Sequence, residues 1–358
     1  MAKIDFAKFT PDNGEINKLS ELLFLADYEP DSLGAMFNVL PGQVNGKKVG
    51  FVGSFGLVGK AAQGCDPTYN DSILTANEQT WDIRPWDVAE SLCFEDLEGT
   101  IFQVALRKGT RVADLTNTDY MDYIINPKIE MAIRQMKMRL AWFGDTAAES
   151  VADGGVIADA GNVPYFTVTD GFWKRLYLLV TANAQRRTTI AANAQTTFAA
   201  QDSGIKAAGV ATGILNSLIM DAPIELRQAA DQRIYITLSL ADALKYDLQQ
   251  NNKGSELQWE SLFDGIQRTT YQGIELIVDP YMDKVIKGYE GVTGGKAWNK
   301  PYRAIYTTKS NMLIGVPGTS DVEDVEVFFD QKDRKNYIYV RDAMGTMIAD
   351  PNLVQVAY

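Results

Sequence analysis

Between Asn126 and Gly144, apolar residues recur at helical spacing along two opposite sides of the segment. At roughly 100° per residue, Ile129, Ile133, Met136, Leu140 and Phe143 fall in one stripe, and Met131, Met138 and Trp142 form a second stripe facing away from it. Lys128 and Arg139 lie on one flank, and Glu130, Arg134 and Lys137 on the other. The pattern predicts a helix over about 127–143 that is covered twice, once by its own domain and once by another chain. Asn126 suits the N-cap, Pro127 the first helical position, and Gly144 a left-handed C-cap.

Elsewhere the period changes. Residues 1–46 carry short apolar clusters (Leu22 to Leu25, Met36-Phe37) without a sustained repeat, as in an arm that orders against other surfaces. From Val49 to Gly59, Val49, Phe51, Phe55 and Leu57 alternate with glycines, which reads as a long bent strand. Thr80 to Cys93 reads as its return strand, and the polar, turn-rich Ala61 to Gln79 as the hairpin tip. Such a hairpin has too little local mass to bury Phe51, Phe55, Leu57, Trp81 and Trp86, so these side chains are expected to lie against a second subunit.

Beyond Gly161 the pattern is mixed α/β. Helices are expected from about Gly171 to Ala184 and Ala208 to Met220, and strands at Arg233–Leu238, Gly273–Val278 and Arg303–Thr307. Ser239 followed three residues later by Asp242 suggests a capping box opening a further helix. Val325–Phe329 and Tyr337–Arg341 read as a hairpin around the charged turn 330–335, followed by a last strand at Leu353–Tyr358.

Composition narrows the chemistry. The chain has 358 residues, 46% of them hydrophobic, and a formal charge of −12. That size suits roughly two domains of about 150 residues, and the charge opposes tight nucleic-acid binding. Histidine is absent. Imidazole bases, Ser-His or Cys-His nucleophiles and most zinc sites are thereby removed. Cys65 and Cys93 have no metal-ligand spacing. Ser54 to Ala61 misses both the dinucleotide loop and the P-loop, since Ser54 stands where each needs glycine and Ala61 where the P-loop needs Ser or Thr. The acidic clusters Glu95-Asp96-Glu98 and Asp321-Glu323-Asp324-Glu326 lack calcium-loop spacing and read as solvated surface. Lys128, Arg134, Lys137 and Arg139 make the long helix cationic, a solvated flank or a set of inter-subunit ion pairs. No run reaches the roughly 20 apolar residues of a membrane span, and no signal-like segment follows Met1. The expectation is a non-enzyme without catalytic residues, metal or cofactor, made in the cytoplasm and without a membrane partner.

The order of an N-terminal arm, a long hairpin, one long helix and an α/β unit returning to a terminal sheet resembles tailed-phage major capsid proteins. Their α+β Johnson fold is shared with encapsulin shells and the herpesvirus capsid floor. The resemblance rests on IEMAIRQMKMRLAWFGD (Ile129–Asp145), which looks like the family's spine helix and its exit. YITLSLADAL (Tyr235–Leu244), GIELIVDPYMD (Gly273–Asp283) and RAIYTTKSNMLIG (Arg303–Gly315) extend it in the family's order. It implies an N-arm over 1–46 and an E-loop over 47–93. It further implies a peripheral domain over 94–164 and 321–358, including the last strand, and an axial domain over 165–320. It also implies a virion protein that self-assembles into hexamers and pentamers of an icosahedral head, with portal and scaffold partners. Packaged double-stranded DNA would be touched only weakly and non-specifically. Some members crosslink subunits through lysine and asparagine; Lys47, Lys48 and Lys60 lie in the E-loop region, and that position alone assigns no such bond here. The competing readings are an encapsulin-type compartment and, from another class, a carboxylate-dependent hydrolase with the hairpin as a lid. The interface expected is Phe51, Phe55, Leu57, Trp81, Trp86, Met131, Met138 and Trp142.

Overall fold

Short runs of β-branched and aromatic residues build two main sheets, and the alternation of their side chains decides which helices each face receives. In a computed structural model, residues 33–55, 74–93, 126–148, 156–157, 159–250, 260–261, 267–291, 296–318, 326–333 and 335–358 are described. Most of the arm, the hairpin tip with Leu57, Lys60 and Cys65, and the acidic residues 95–98 and 321–324 lie outside them. In chain order the elements begin with α1 (Leu33–Met36), β1 (Asn38–Leu40), β2 (Lys48–Phe55), β3 (Leu74–Thr80), β4 (Arg84–Cys93) and α2 (Asn126–Phe143). They continue with β5 (Val156–Ile157), α3 (Phe172–Ala182), β6 (Arg187–Thr188), α4 (Phe198–Ile205), α5 (Val210–Met220), α6 (Ile224–Arg227), β7 (Gln232–Thr237) and α7 (Leu238–Gln250). The rest are β8 (Glu260–Ser261), β9 (Gln267–Tyr271), β10 (Ile274–Asp279), α8 (Pro280–Gly288), β11 (Glu290–Gly291), β12 (Ala304–Thr308), β13 (Met312–Gly315), β14 (Glu326–Asp330), β15 (Lys335–Ile348) and β16 (Val354–Ala357).

The larger sheet has the order β6-β16-β12-β7-β10-β9-β8. Of its central strands, β12 is buried throughout, β10 at all but Glu275 and β7 from Ile234 to Thr237, as expected of strands covered on both faces. Ile234, Ile236, Leu276, Val278 and Tyr306 join Leu215 and Leu218 of α5 and Leu240 and Leu244 of α7 in one core. Tyr235, Ile277, Ile305 and Val356 point the opposite way, into the core that holds α2, α3 and α8. Successive residues of one strand thus serve two different cores, the period-2 consequence of a pleated sheet.

The smaller sheet runs β1-β13-β15-β14, with β4 pairing Lys335 to Met344 of β15, the stretch whose first five residues also pair with β14. Four expectations are corrected here. Arg84–Cys93 is not the return strand of the first hairpin; Leu74–Thr80 pairs with β2, and β4 pairs with Lys335 to Met344. The terminal strand does not extend the sheet of the terminal hairpin but pairs with β12 and β6 in the large sheet, where Val354 and Val356 point to one face, into the core shared with α2, and Ala357 to the other. Ser239 lies inside α7 rather than capping it. The cap comes from Asp283 of α8, whose carboxylate accepts Leu238 N–H, Ser239 N–H and Ser239 Oγ–H. Burial pushes the Asp283 carboxyl up, against these donors and Lys287. Finally, Gly144 is not left-handed. A Cβ there would sit 2.3 Å from Thr169 O, and one on Gly171 2.7 Å from Gly144 N. The two glycines let the end of α2 and the start of α3 touch backbone to backbone, with Gly171 N donating to Gly144 O at 2.7 Å.

Asp283→Ala should remove three accepted hydrogen bonds from the start of α7. The expected loss is about 1–3 kcal/mol, read as a lower urea midpoint of the dissociated subunit, and an unchanged midpoint would count against the cap.

Candidate assembly site

The hairpin of β2 and β3 springs from a fixed base. After Thr80 the chain crosses Trp81–Ile83, where Trp81 and Ile83 pack with Leu313 and Met347, against Leu40 and Val49. The registered pair Gly315 and Gly345 makes the space. A Cβ on Gly315 would approach the Trp81 ring to 2.9 Å, and one on Gly345 would lie 2.4 Å from Asp82 O. Gly345→Ala should therefore destabilise the subunit by the about 1–3 kcal/mol of an overpacked core, while Gly50→Ala, with open space around it, should stay within about 0.5 kcal/mol; matched urea titrations separate them. Lys48 near this base pairs with Glu78 on the surface.

The expected contact residues divide. Trp81 and Trp86 are buried within this chain, a correction whose reason is that the segment after β3 lies on β13 and β15 rather than projecting with the hairpin. For Phe51 and Phe55 only the backbone, in β2, is described, and Leu57 lies outside the described residues.

Helix α2 is covered twice, and the chain itself supplies both covers. Met138 and Trp142 are 0% exposed, so neither presents surface to a neighbour, and their expected contact role is corrected. Trp142 meets Phe37, Phe172 and Tyr235 at ring distances of 5.0, 5.9 and 5.8 Å. Its Nε1–H donates to Asp279 Oδ2 at 2.8 Å, and Asp279 Oδ1 accepts Tyr281 N–H to cap α8. Tyr235, pushed up to about 12 by burial, donates its hydroxyl to Met36 O at 2.7 Å. Met131 is half-buried, while Lys128 and Arg134 are exposed. The cationic flank is partly absorbed: Lys137 is buried, and Arg139 lies over Phe166 and donates to Tyr165 O.

The exit of α2 meets a buried charged hub that the sequence did not announce. Arg303 and Glu290 form an ion pair with side chains 0% and 3% exposed. Arg303 also donates to Lys300 O at 2.8 Å and Asn299 O at 3.0 Å, and Asn299 Nδ2 donates to Glu290. The guanidinium lies over Phe143 and Trp173. Burial pushes the Glu290 carboxyl up against the pull of Arg303. For Arg303 burial is the largest influence and works downward, but the charge and hydrogen bond of Glu290, together with Tyr177 and Asp283, outweigh it and the net direction is up. Lys174 and Asp145 form a second, nearly buried pair at 2.5 Å.

Asp145, Lys174 and Glu290 border a cavity of about 10 Å³, enough for about one water. A surface cleft of about 480 Å³, lined by residues that include Arg227, Gln232, Gln272 and Tyr306, has no carboxylate in its lining. Among the described residues no group of three or more Cys, Asp or Glu could hold a metal, and no single helix is long and apolar enough to cross a membrane.

Sequence reasoning missed the apolar residues that are exposed. Met220 and Ile224, 71% and 67% exposed, flank the turn between α5 and α6. Phe328 is exposed on β14 and stacks on Tyr337 of β15. Nothing in their periodicity sets them apart from core residues; only the position of each element's neighbours does.

No known protein-family profile matches the sequence, and no curated protein matches it. Solved structures do. A chain of Gordonia phage Cozz aligns over 98% of this chain and 91% of its own, with 13% identity and a TM-score of 0.54. The capsid of a native GTA particle aligns over 95% and 93%, with 10% identity and a TM-score of 0.53. A chain of Mycobacterium phage Bobi aligns over 99% and 98%, with 11% identity and a TM-score of 0.51. The chain has the α+β fold of these phage-particle and capsid subunits, the Johnson fold that the sequence resemblance implied.

Proposed function

We propose that this chain is a major capsid protein that self-assembles into the hexamers and pentamers of an icosahedral phage head. The observation that carries the reading is the likeness of nearly the whole chain, arm-side strands, hairpin, spine helix and α/β unit together, to capsid and phage-particle subunits. Absence of histidine and the closed character of the charged hub support a structural rather than catalytic role. The protein's place is then the virion shell, reached by assembly in the host cytoplasm, with portal and scaffold as further partners. A charge of −12 suits a wall that touches packaged DNA only weakly.

The mechanism is geometric. A rigid body presents the β2–β3 hairpin, with Phe51, Phe55 and Leu57, for a neighbour to cover. Met131, Met220, Ile224 and Phe328 supply further apolar contacts from the body. Each large side chain buried between subunits contributes about 1.5–3 kcal/mol before the entropy of association is subtracted, so closure depends on many such contacts repeated by symmetry.

Expression of the chain, alone and with neighbouring genes, followed by size-exclusion chromatography and negative-stain microscopy, tests this. Closed particles are expected; a monomer or dimer that turns over a glycoside would overturn it. Met220→Asp with Ile224→Asp should leave thermal stability of the dissociated subunit nearly unchanged, because exposed substitutions usually shift it by no more than about 0.5 kcal/mol, while particle yield falls. Normal yield would remove these residues from the contact surface, and Met131→Asp is the matching test on α2.

A further inference from the structure

The turn that leads into β2 holds a residue pair whose chemistry the assembly reading does not use. Asn45 is followed by Gly46, and both are exposed. In such a pair the glycine nitrogen, unshielded because its residue lacks a Cβ, can attack the asparagine side-chain carbonyl carbon. The Gly N–Cγ bond forms, the Cγ–Nδ2 bond breaks, and Nδ2 leaves with the glycine amide proton as ammonia. The resulting succinimide takes up one water and opens to aspartate or to isoaspartate, in which the main chain runs through the side-chain carbon. Water is the one co-reactant.

Both partners of this reaction are held here. Gly46 N–H donates to Trp81 O at 2.9 Å, and Asn45 Oδ1 accepts Ile83 N–H at 3.3 Å. The segment that holds them is anchored: Trp81 N donates back to Lys47 O at 2.9 Å, and the Trp81 ring is buried against Gly315. While Gly46 N–H points at Trp81 O, its nitrogen cannot lose that proton and turn toward Cγ.

We propose that Asn45-Gly46 is a spontaneous deamidation site gated by the 81–83 crossing. It is closed while the hairpin base is docked and reactive in the fraction of molecules whose base has opened. Conversion then proceeds through local opening, as amide exchange does. Isoaspartate adds a carbon to the main chain between residues 45 and 46 and spoils the alignment of Gly46 and Lys47 with Trp81. Each event therefore leaves a permanent record of one opening.

The test is peptide mapping by mass spectrometry of the full-length chain aged in mildly alkaline buffer, native and in concentrated urea. The sequence holds a second pair of the same kind, Asn13-Gly14, which serves as the chemical clock in urea. There, both pairs should convert at similar rates, and native Asn45 should convert at least about tenfold more slowly than in urea. Equal rates for Asn45 in the two states would overturn the gate; no conversion of Asn45 in urea while Asn13 is consumed would overturn the site. Ile83→Pro removes the N–H that holds Asn45 Oδ1, and in the folded variant it should raise the native rate severalfold; an unchanged rate also counts against the gate. If that variant does not fold, the native-to-urea ratio of the unaltered chain still decides.

Discussion

Trp142→Ala will lower the stability of the dissociated subunit by about 3–5 kcal/mol, and it will do so before any question of assembly arises. The side chain is wholly buried. It is the meeting point of α2, α3, β7 and the link from α1 to β1, through Phe172, Tyr235 and Phe37. Edge-to-face contacts of this kind add about 0.5–1.5 kcal/mol beyond the area they bury. Losing the indole also removes a donor from Asp279, a buried carboxylate that caps α8, so the damage reaches a second helix. Trp142→Phe separates the two contributions. It keeps an aromatic ring and loses the hydrogen bond, for an expected about 1–3 kcal/mol. Against a total of about 5–15 kcal/mol for a typical domain, the alanine variant is left marginal and the phenylalanine variant folded. Urea titration of dissociated subunits followed by circular dichroism measures both. An alanine variant of normal stability that fails to form particles would restore Trp142 to the contact surface from which its burial removes it.

That reversal shows what a sequence pattern carries. Two apolar stripes on α2 required two covers, and two covers exist. Which chain provides them depends on where α3, α8 and β7 lie in space, and no period along 127–143 records that. The strand at Arg84–Cys93 was legible as a strand, yet its partner was misassigned to the nearest compatible run. Its true partner, Lys335 to Met344, lies about 250 residues away, and loop-closure entropy grows too slowly with length to favour near partners decisively. The strands Gln232–Thr237, Ile274–Asp279 and Ala304–Thr308 fell close to the expected segments because nearly uninterrupted apolar runs leave few alternatives. The charged hub escaped notice for the opposite reason. Glu290 and Arg303 are single polar residues, and only their convergence gives them meaning.

Arg303→Met is expected to cost about 3–5 kcal/mol, because it leaves Glu290 as a buried charge without its cation. Glu290→Leu alone should be similarly severe, with the guanidinium then uncompensated. In many proteins the double replacement of a buried pair by apolar residues is neutral or stabilising. Here recovery should be partial. Arg303 also holds Lys300 O and Asn299 O, next to a Lys300 backbone at φ +43°, and an unmet buried acceptor costs about 1–3 kcal/mol. The double variant should therefore remain at least about 2 kcal/mol below the unaltered chain, with a coupling energy that still shows the two charges to be a pair. The single Arg303→Met variant carries a pH signature as well. Burial already pushes the Glu290 carboxyl up, and loss of the opposing guanidinium pushes it further. The folded variant then binds a proton more tightly than the unfolded chain, so its stability falls as pH rises from the unfolded carboxylate value of about 4.3 to the raised folded value. Urea midpoints at acidic and alkaline pH should show a smaller deficit, relative to the unaltered chain, on the acidic side. A deficit of the same size at both pH values would mean that Arg303 acts through the carbonyls of residues 299 and 300 and through Phe143 and Trp173, not through Glu290.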